Sequence, residues 1–184
     1  MENPWKTIST KEIYKNQWIR IREDKVITPG GSNGIYGVVE TKPAIGVVPL
    51  TEDLQTYLVG QYRYTLNTYS WEIPEGGGID DEDPLLGAKR ELQEETGLIA
   101  RKWTFLDTLY TSNSITNEVG YIYLAEDLTM GQAMPDDTEK LKIKKIPFEE
   151  AWKMVLNFEI KDALAVIGIM RVYHYLKETG RIIF

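Results

Sequence analysis

The 184-residue chain has no cysteine and a single histidine. Without thiols it cannot build a disulfide scaffold, a thiolate zinc site or a cysteine nucleophile. The lone His174 argues against a histidine-rich metal centre and against a Ser-His-Asp triad. No apolar run approaches the roughly 20 residues that a bilayer-spanning helix needs. The opening residues, MENPWKTIST, carry neither a basic n-region nor an apolar h-region, so the expected location is the cytoplasm. Positive charge is also scarce: 21 Lys and Arg stand against 28 Asp and Glu, a net charge of −7. That balance argues against gripping a long nucleic acid by phosphate neutralisation. A phosphorylated ligand would call for a divalent cation as mediator.

What is present is ordinary for a folded domain: 42 % hydrophobic and 27 % charged residues, enough for one sizeable core. Residues 18–24 alternate apolar and charged side chains, and residues 35–40 do so again after the Gly- and Pro-rich stretch 29–34. This predicts a β-hairpin within an N-terminal, strand-rich segment, residues 1–43. Residues 44–50 and 56–62 read as buried strands, with Glu52 and Asp53 in the turn between them. Residues 72–75 read as a short strand running into a flexible glycine loop, 76–78. Further strands are expected near 103–110, 119–125 and 138–146. Asp83 as N-cap, Pro84 at the first helical position and Gly97 at the end bracket a helix. Its core face would be Leu85, Ala88, Leu92 and Thr96. Residues 148–157 and 162–179 read as two amphipathic helices. The pattern is α+β.

The stretch with chemistry in it is GGGIDDEDPLLGAKRELQEETGL, residues 76–98. Glu91, Glu94 and Glu95 project from one helical face at spacings of three and four. Arg90 sits four residues before Glu94 and can pair with it, which leaves Glu91 and Glu95 without an obvious local cation. Like charges so placed weaken a helix unless offset, and paired carboxylates favour a hard cation such as Mg²⁺ or Mn²⁺. A solvated charged face is the plain alternative. The wider spacing decides between them: Gly76, five residues, Glu82, seven residues, then Arg90-Glu91-Leu92-Gln93-Glu94-Glu95-Thr96-Gly97-Leu98 matches GX5EX7REUXEEXGU at all nine specified positions. At that point the chain resembles the Nudix hydrolases.

The resemblance implies a Nudix fold, a mixed β-sheet sandwiched between helices (α/β/α) over residues 44–184, with the N-terminal hairpin as an extension. It implies hydrolysis of nucleoside diphosphates linked to another moiety, with divalent cations offsetting the pyrophosphate charge. Glu91 and Glu95 are similar to the family's metal ligands, with Glu94 in the same cluster and the Glu75 carbonyl as an extra ligand. Arg90 would orient the carboxylates. Gly76, Glu82 and Gly97 would be structural members of the motif.

Outside the box, Gln61-Tyr62-Arg63 and Ser70-Trp71-Glu72-Ile73-Pro74-Glu75-Gly76 resemble the ADP-ribose and nucleotide-sugar pyrophosphatase branch. Arg63 is then a phosphate partner, or else a structural salt bridge near the strand end. Glu72 contacts substrate or supports the metal site, or is an ordinary strand carboxylate. Trp71 lines a nucleoside pocket or joins the core. Residues 111–118 align with a loop on which that branch carries a glutamate that activates water, which here is Glu118. Asn113 and Asn117 depart from that loop's pattern. The resemblance therefore implies an Mg²⁺- or Mn²⁺-dependent enzyme with ADP-ribose as leading substrate. GDP-mannose or another nucleotide sugar is second, and a non-catalytic Nudix-fold nucleotide-binding domain is the other class. It also implies a homodimer joined through the N-terminal segment, with Trp5, Trp18, Ile35 and Tyr36 supplying contact area. No nucleic-acid or membrane partner is expected.

Overall fold

A computed structural model describes residues 1–79, 81–131 and 141–182. The chain divides into two units, one formed by Met1–Pro43 with Tyr110–Val119, the other by Ala44–Leu109 and the chain from Gly120 onward.

The first unit is an antiparallel sheet in the order β1-β2-β3, with β1 Lys6–Lys15, β2 Ile19–Ile27 and β3 Asn33–Thr41. The expected hairpin is β2-β3, with Ile27 opposite Asn33 across the turn. β1 falls inside the segment expected to be strand-rich, but the sequence set no bounds for it, because every one of its residues is exposed and no burial alternation marks it. The segment 110–119 joins this unit along β3. The Val39 amide donates to the Ile115 carbonyl, and the Thr41 amide donates to Asn117 Oδ1.

The second unit holds two sheets. One has the order β7-β4-β9-β8, with β4 Ala44–Pro49, β7 Glu75–Gly77, β8 Leu98–Tyr110 and β9 Val119–Met130. β4 runs parallel to β9 and antiparallel to β7, so this sheet is mixed. The other is antiparallel, β10-β5-β6, with β5 Gln55–Arg63, β6 Thr68–Glu72 and β10 Lys142–Pro147. The helices are α1 Pro84–Thr96, α2 Phe148–Leu156 and α3 Ala163–Glu178.

Alternation along β4 and β9 builds cores on both faces of the mixed sheet. Ile45, Val47, Tyr123 and Ala125 pack with Ala88 and Leu92 of α1. Val48, Leu50, Ile122 and Leu124 pack with α2 and α3. The sheet thus lies between helices, as the α/β/α expectation required. α1 begins and ends where its signals stand. Asp83 accepts a hydrogen bond from the Leu85 amide at 2.9 Å, and Gly97 closes the helix at φ 73°, a left-handed conformation that favours glycine.

Two expectations change. Residues 72–75 are not one strand. β6 ends at Glu72 and β7 starts at Glu75, because Pro74 has no amide hydrogen to extend a ladder. Gly76 and Gly77 are then not a flexible loop: they pair with Ile45 and Ala44 of β4. The strand expected over 138–146 is described only from residue 142; its first residues lie outside the described part of the chain. Among the described residues no helix is long and apolar enough to cross a membrane.

Leu92 is wholly buried between α1 and β4. Leu92→Ala should cost about 2–5 kcal/mol, read as a lower urea midpoint at unchanged slope.

Candidate active site

The helix that buries Ala88 and Leu92 turns Glu91 and Glu95 towards β7. Both are nearly enclosed, at 7 % and 3 % exposure, whereas the Glu94 side chain is 37 % exposed. Gly76 is what admits Glu91. A Cβ at that position would overlap the Glu91 carboxylate, so only glycine lets the strand and the carboxylate approach so closely. Glu95 is fixed by the backbone, since Glu95 Oε2 accepts the Glu75 amide at 2.9 Å.

Arg90 gathers the rest of the box. Its Nη1 donates to Glu91 Oε1 at 2.5 Å and to Glu94 Oε2 at 3.0 Å, and its Nη2 donates to the Gly77 carbonyl at 2.9 Å. Glu82 Oε2 lies 3.8 Å from the same nitrogen. The Arg90–Glu94 pair stands where the sequence put it. The expectation that Glu91 lacks a local cation is corrected. Adjacent residues do not share a helix face, yet the long Arg90 stem brings the guanidinium back to Glu91 in the space beside Gly76. Burial opposes the Arg90 charge, but Glu91 and Glu94 outweigh it and hold the proton more firmly.

A second charged group lies on the other face of β7. Alternation sends the Glu75 side chain away from Glu91. Glu75 meets Glu72 of β6 and Asp162, the N-cap of α3, each offering a carboxylate oxygen within 4.8 Å of the others. Arg63, at the end of β5, donates from Nε and Nη2 to both oxygens of Glu72, at 2.9 and 2.7 Å, and from Nη2 to Glu75 Oε1 at 2.7 Å. Gln61 Nε2 adds a bond to Glu72 Oε2 at 3.3 Å. Of the alternatives left open for Arg63, its salt bridge is therefore present, made through Nε and Nη2. Burial raises the Glu75 carboxyl well above its ordinary range; the neighbouring charges of Asp162 and Glu72 add to this, and Arg63 offsets only part.

The remaining expected residues are placed as follows. Trp71 packs partly buried against the α2–α3 core, edge-on to Tyr69 with centroids 5.6 Å apart, and Lys144 Nζ lies 5.7 Å from its ring centre. Glu118 belongs to the first unit, where Thr111 Oγ1 donates to Glu118 Oε2 at 2.5 Å. Asp162 was missed by sequence reasoning. Its signal was that of a helix cap, and its amide partner, Ala165 at 2.8 Å, confirms that role; the chain alone does not show that the cap faces Glu75.

A buried, oxygen-only donor set with room made by Gly76 suits a hard divalent cation. Comparison with known proteins agrees with this chemistry. Residues 40–165 match the NUDIX domain, and residues 5–39 match the nucleoside diphosphate sugar hydrolase N-terminal domain. The chain belongs to the NUDIX family. It is 31 % identical to the ADP-ribose pyrophosphatase of Bacillus subtilis (strain 168), over 94 % of each chain. It is 33 % identical to the ADP-ribose pyrophosphatase of Mycobacterium tuberculosis (strain ATCC 25618 / H37Rv), over 94 % of this chain and 84 % of that one. The crystal structure of an ADP compounds hydrolase superposes with a TM-score of 0.85 over 97 % of both chains at 22 % identity, a likeness of fold.

Gly76→Ala should force Glu91 and β7 apart and cost about 1–3 kcal/mol by overpacking. Chemical denaturation should show the loss, and Mn²⁺ titration should show weaker binding. Unchanged values in both would mean that the close approach is dispensable.

Proposed function

We propose that the protein is a metal-dependent pyrophosphatase acting on nucleoside diphosphate sugars, with ADP-ribose as leading substrate and AMP and ribose 5-phosphate as products. The observation that carries this reading is the complete set of box carboxylates, Glu82, Glu91, Glu94 and Glu95, gathered by Arg90 and the Glu75 amide. A non-catalytic binding domain would have no need of that whole set. Relatives named ADP-ribose pyrophosphatase support the choice of sugar nucleotide.

Glu91 and Glu95, with the Glu75 carbonyl and Glu94, would hold the cation. A bound Mg²⁺ or Mn²⁺ supplies Lewis-acid neutralisation of the pyrophosphate. Arg90 keeps the carboxylates oriented and Glu82 steadies Arg90. Arg63, anchored on Glu72 and Glu75, presents Nη1 to a phosphate. Glu72 acts through Arg63, and Trp71 offers an aromatic wall to the nucleoside. Glu118 is the proposed base: Thr111 fixes one carboxylate oxygen and the other takes the proton of the attacking water. The water oxygen joins phosphorus, the anhydride P–O bond breaks, and two phosphate monoesters leave.

The reading includes a homodimer joined through the N-terminal sheet. Ile8, Ile13, Trp18 and Ile35 are all exposed apolar side chains of that unit, while Trp5 and Tyr36 pack edge to face with centroids 5.4 Å apart. The location proposed is cytoplasmic.

A panel of ADP-ribose, GDP-mannose and other nucleotide sugars, assayed with Mg²⁺ and with Mn²⁺, should give turnover of at least one, ADP-ribose first. Glu95→Gln should lower kcat at least a hundredfold with little change in Tm, and Glu118→Gln should lower kcat more than KM. Intact rates would remove each residue from its role, and a panel without turnover would end the enzyme reading. Sedimentation at micromolar concentration should show a dimer, and Trp18→Glu with Ile35→Glu should shift it to monomer.

A further inference from the structure

The loop between β8 and β9, residues 111–118, is rich in Ser, Thr and Asn, and its one aliphatic side chain, Ile115, is exposed. Apolar packing therefore does not order it, and fixing each residue's backbone costs about 1–2 kcal/mol. Yet the loop carries Glu118, whose task in the proposed reaction is exacting. A general base must lie about 2.6–3.2 Å from the atom whose proton it takes. A misplacement of about 1 Å can cost a hundredfold in rate.

β3 supplies the order. It ends the β1-β2-β3 sheet, so one of its edges has no strand beside it, and the loop fills that edge. The Val39 amide donates to the Ile115 carbonyl at 2.9 Å, and the Asn117 amide donates to the Val39 carbonyl at 3.3 Å. Thr116 forms a parallel bridge with Val39. The Thr41 amide donates to Asn117 Oδ1 at 2.9 Å, and Tyr36 Oη donates to the Ser114 carbonyl at 2.8 Å. Within the loop, the Ser112 carbonyl accepts the Ile115 and Thr116 amides at 3.0 and 2.9 Å. Thr111 Oγ1 reaches across the two ends to Glu118 Oε2 at 2.5 Å. Asn117 is thus tied to β3 through both its backbone and its side chain, and it immediately precedes Glu118.

Resting on the reading of Glu118 as base, we propose that the N-terminal sheet positions it, with Asn117 and Tyr36 as the positioning residues. Neither needs to touch substrate. They hold the loop backbone on β3, so that the carboxylate steered by Thr111 keeps one direction. The extension then has a task in its own chain, besides the proposed dimer contact. The Thr41 bond uses Asn117 Oδ1 only as an acceptor, so aspartate can keep that bond and alanine cannot.

The test is a double-mutant cycle of Asn117→Ala and Glu118→Gln in the full-length protein, on whichever nucleotide sugar it turns over fastest. Asn117→Ala should lower kcat about tenfold or more with KM little changed. Asn117→Asp should restore most of the rate. Tyr36→Phe, which keeps the ring and loses only the hydroxyl, should lower kcat in the same direction and serves should Asn117→Ala fail to fold. In the Glu118→Gln background Asn117→Ala should lower kcat no further, because the base it positions is already gone. Hydrogen exchange reads the anchoring without turnover: the amides of Ile115 to Glu118 should exchange faster in Asn117→Ala, while those of β2 stay protected. The proposal is overturned if Asn117→Ala keeps the wild-type kcat, if its loss adds in full to that of Glu118→Gln, if Asn117→Asp is equally impaired, or if the loop amides exchange at the wild-type rate. An intact kcat in Glu118→Gln would instead remove the base on which the proposal rests, whereas a loss confined to Glu118→Gln sinks the positioning alone.

Discussion

Like charges crowded beside one short strand are the constraint on which the second unit turns. Glu91 and Glu95 approach β7 from α1, and Glu72, Glu75 and Asp162 meet on its other face. Buried carboxylates in such number would drive the elements apart without compensation. Each face has one arginine for this purpose. Arg90 spans Glu82, Glu91, Glu94 and the Gly77 carbonyl, and Arg63 spans Glu72 and Glu75. A planar fork with several donors can do this; an ammonium group could not reach so many acceptors in fixed directions.

The two faces are mechanically joined through Glu75. Its amide holds Glu95 and its side chain holds Arg63, so the backbone of one residue serves the box while its carboxylate serves the other group. β7 in turn is held by β4, whose residues pair with Gly76 and Gly77 on one edge and with β9 on the other. The site is therefore supported by the most deeply buried strands of the unit, Ile45 to Val48 and Ile122 to Ala125.

The sequence made some of this readable and concealed the rest for physical reasons. α1 could be placed to the residue because a cap, a proline and a terminal glycine are local signals. The box carboxylates followed from helix spacing and from resemblance. The bounds of β1 escaped notice within the strand-rich segment because it buries nothing, and the break at Pro74 was hidden because one proline can either start a strand or end one. The link from Arg90 to Glu91 depended on a side-chain bend, which no spacing rule supplies. Asp162 was legible only as the first residue of the expected helix 162–179; its approach to Glu75 comes from the packing of α3 on β4 and cannot be read from neighbours in the chain.

The pairing of Gly46 with Glu75 places the amide that clamps Glu95 in register with a strand inside the core. Tolerance at the site is thus inherited from hydrophobic packing. The spacing of the carboxylate oxygens is set by the same strand that buries Ile45 and Val47, so a change deep in the core would be felt at the site as a shift in that spacing.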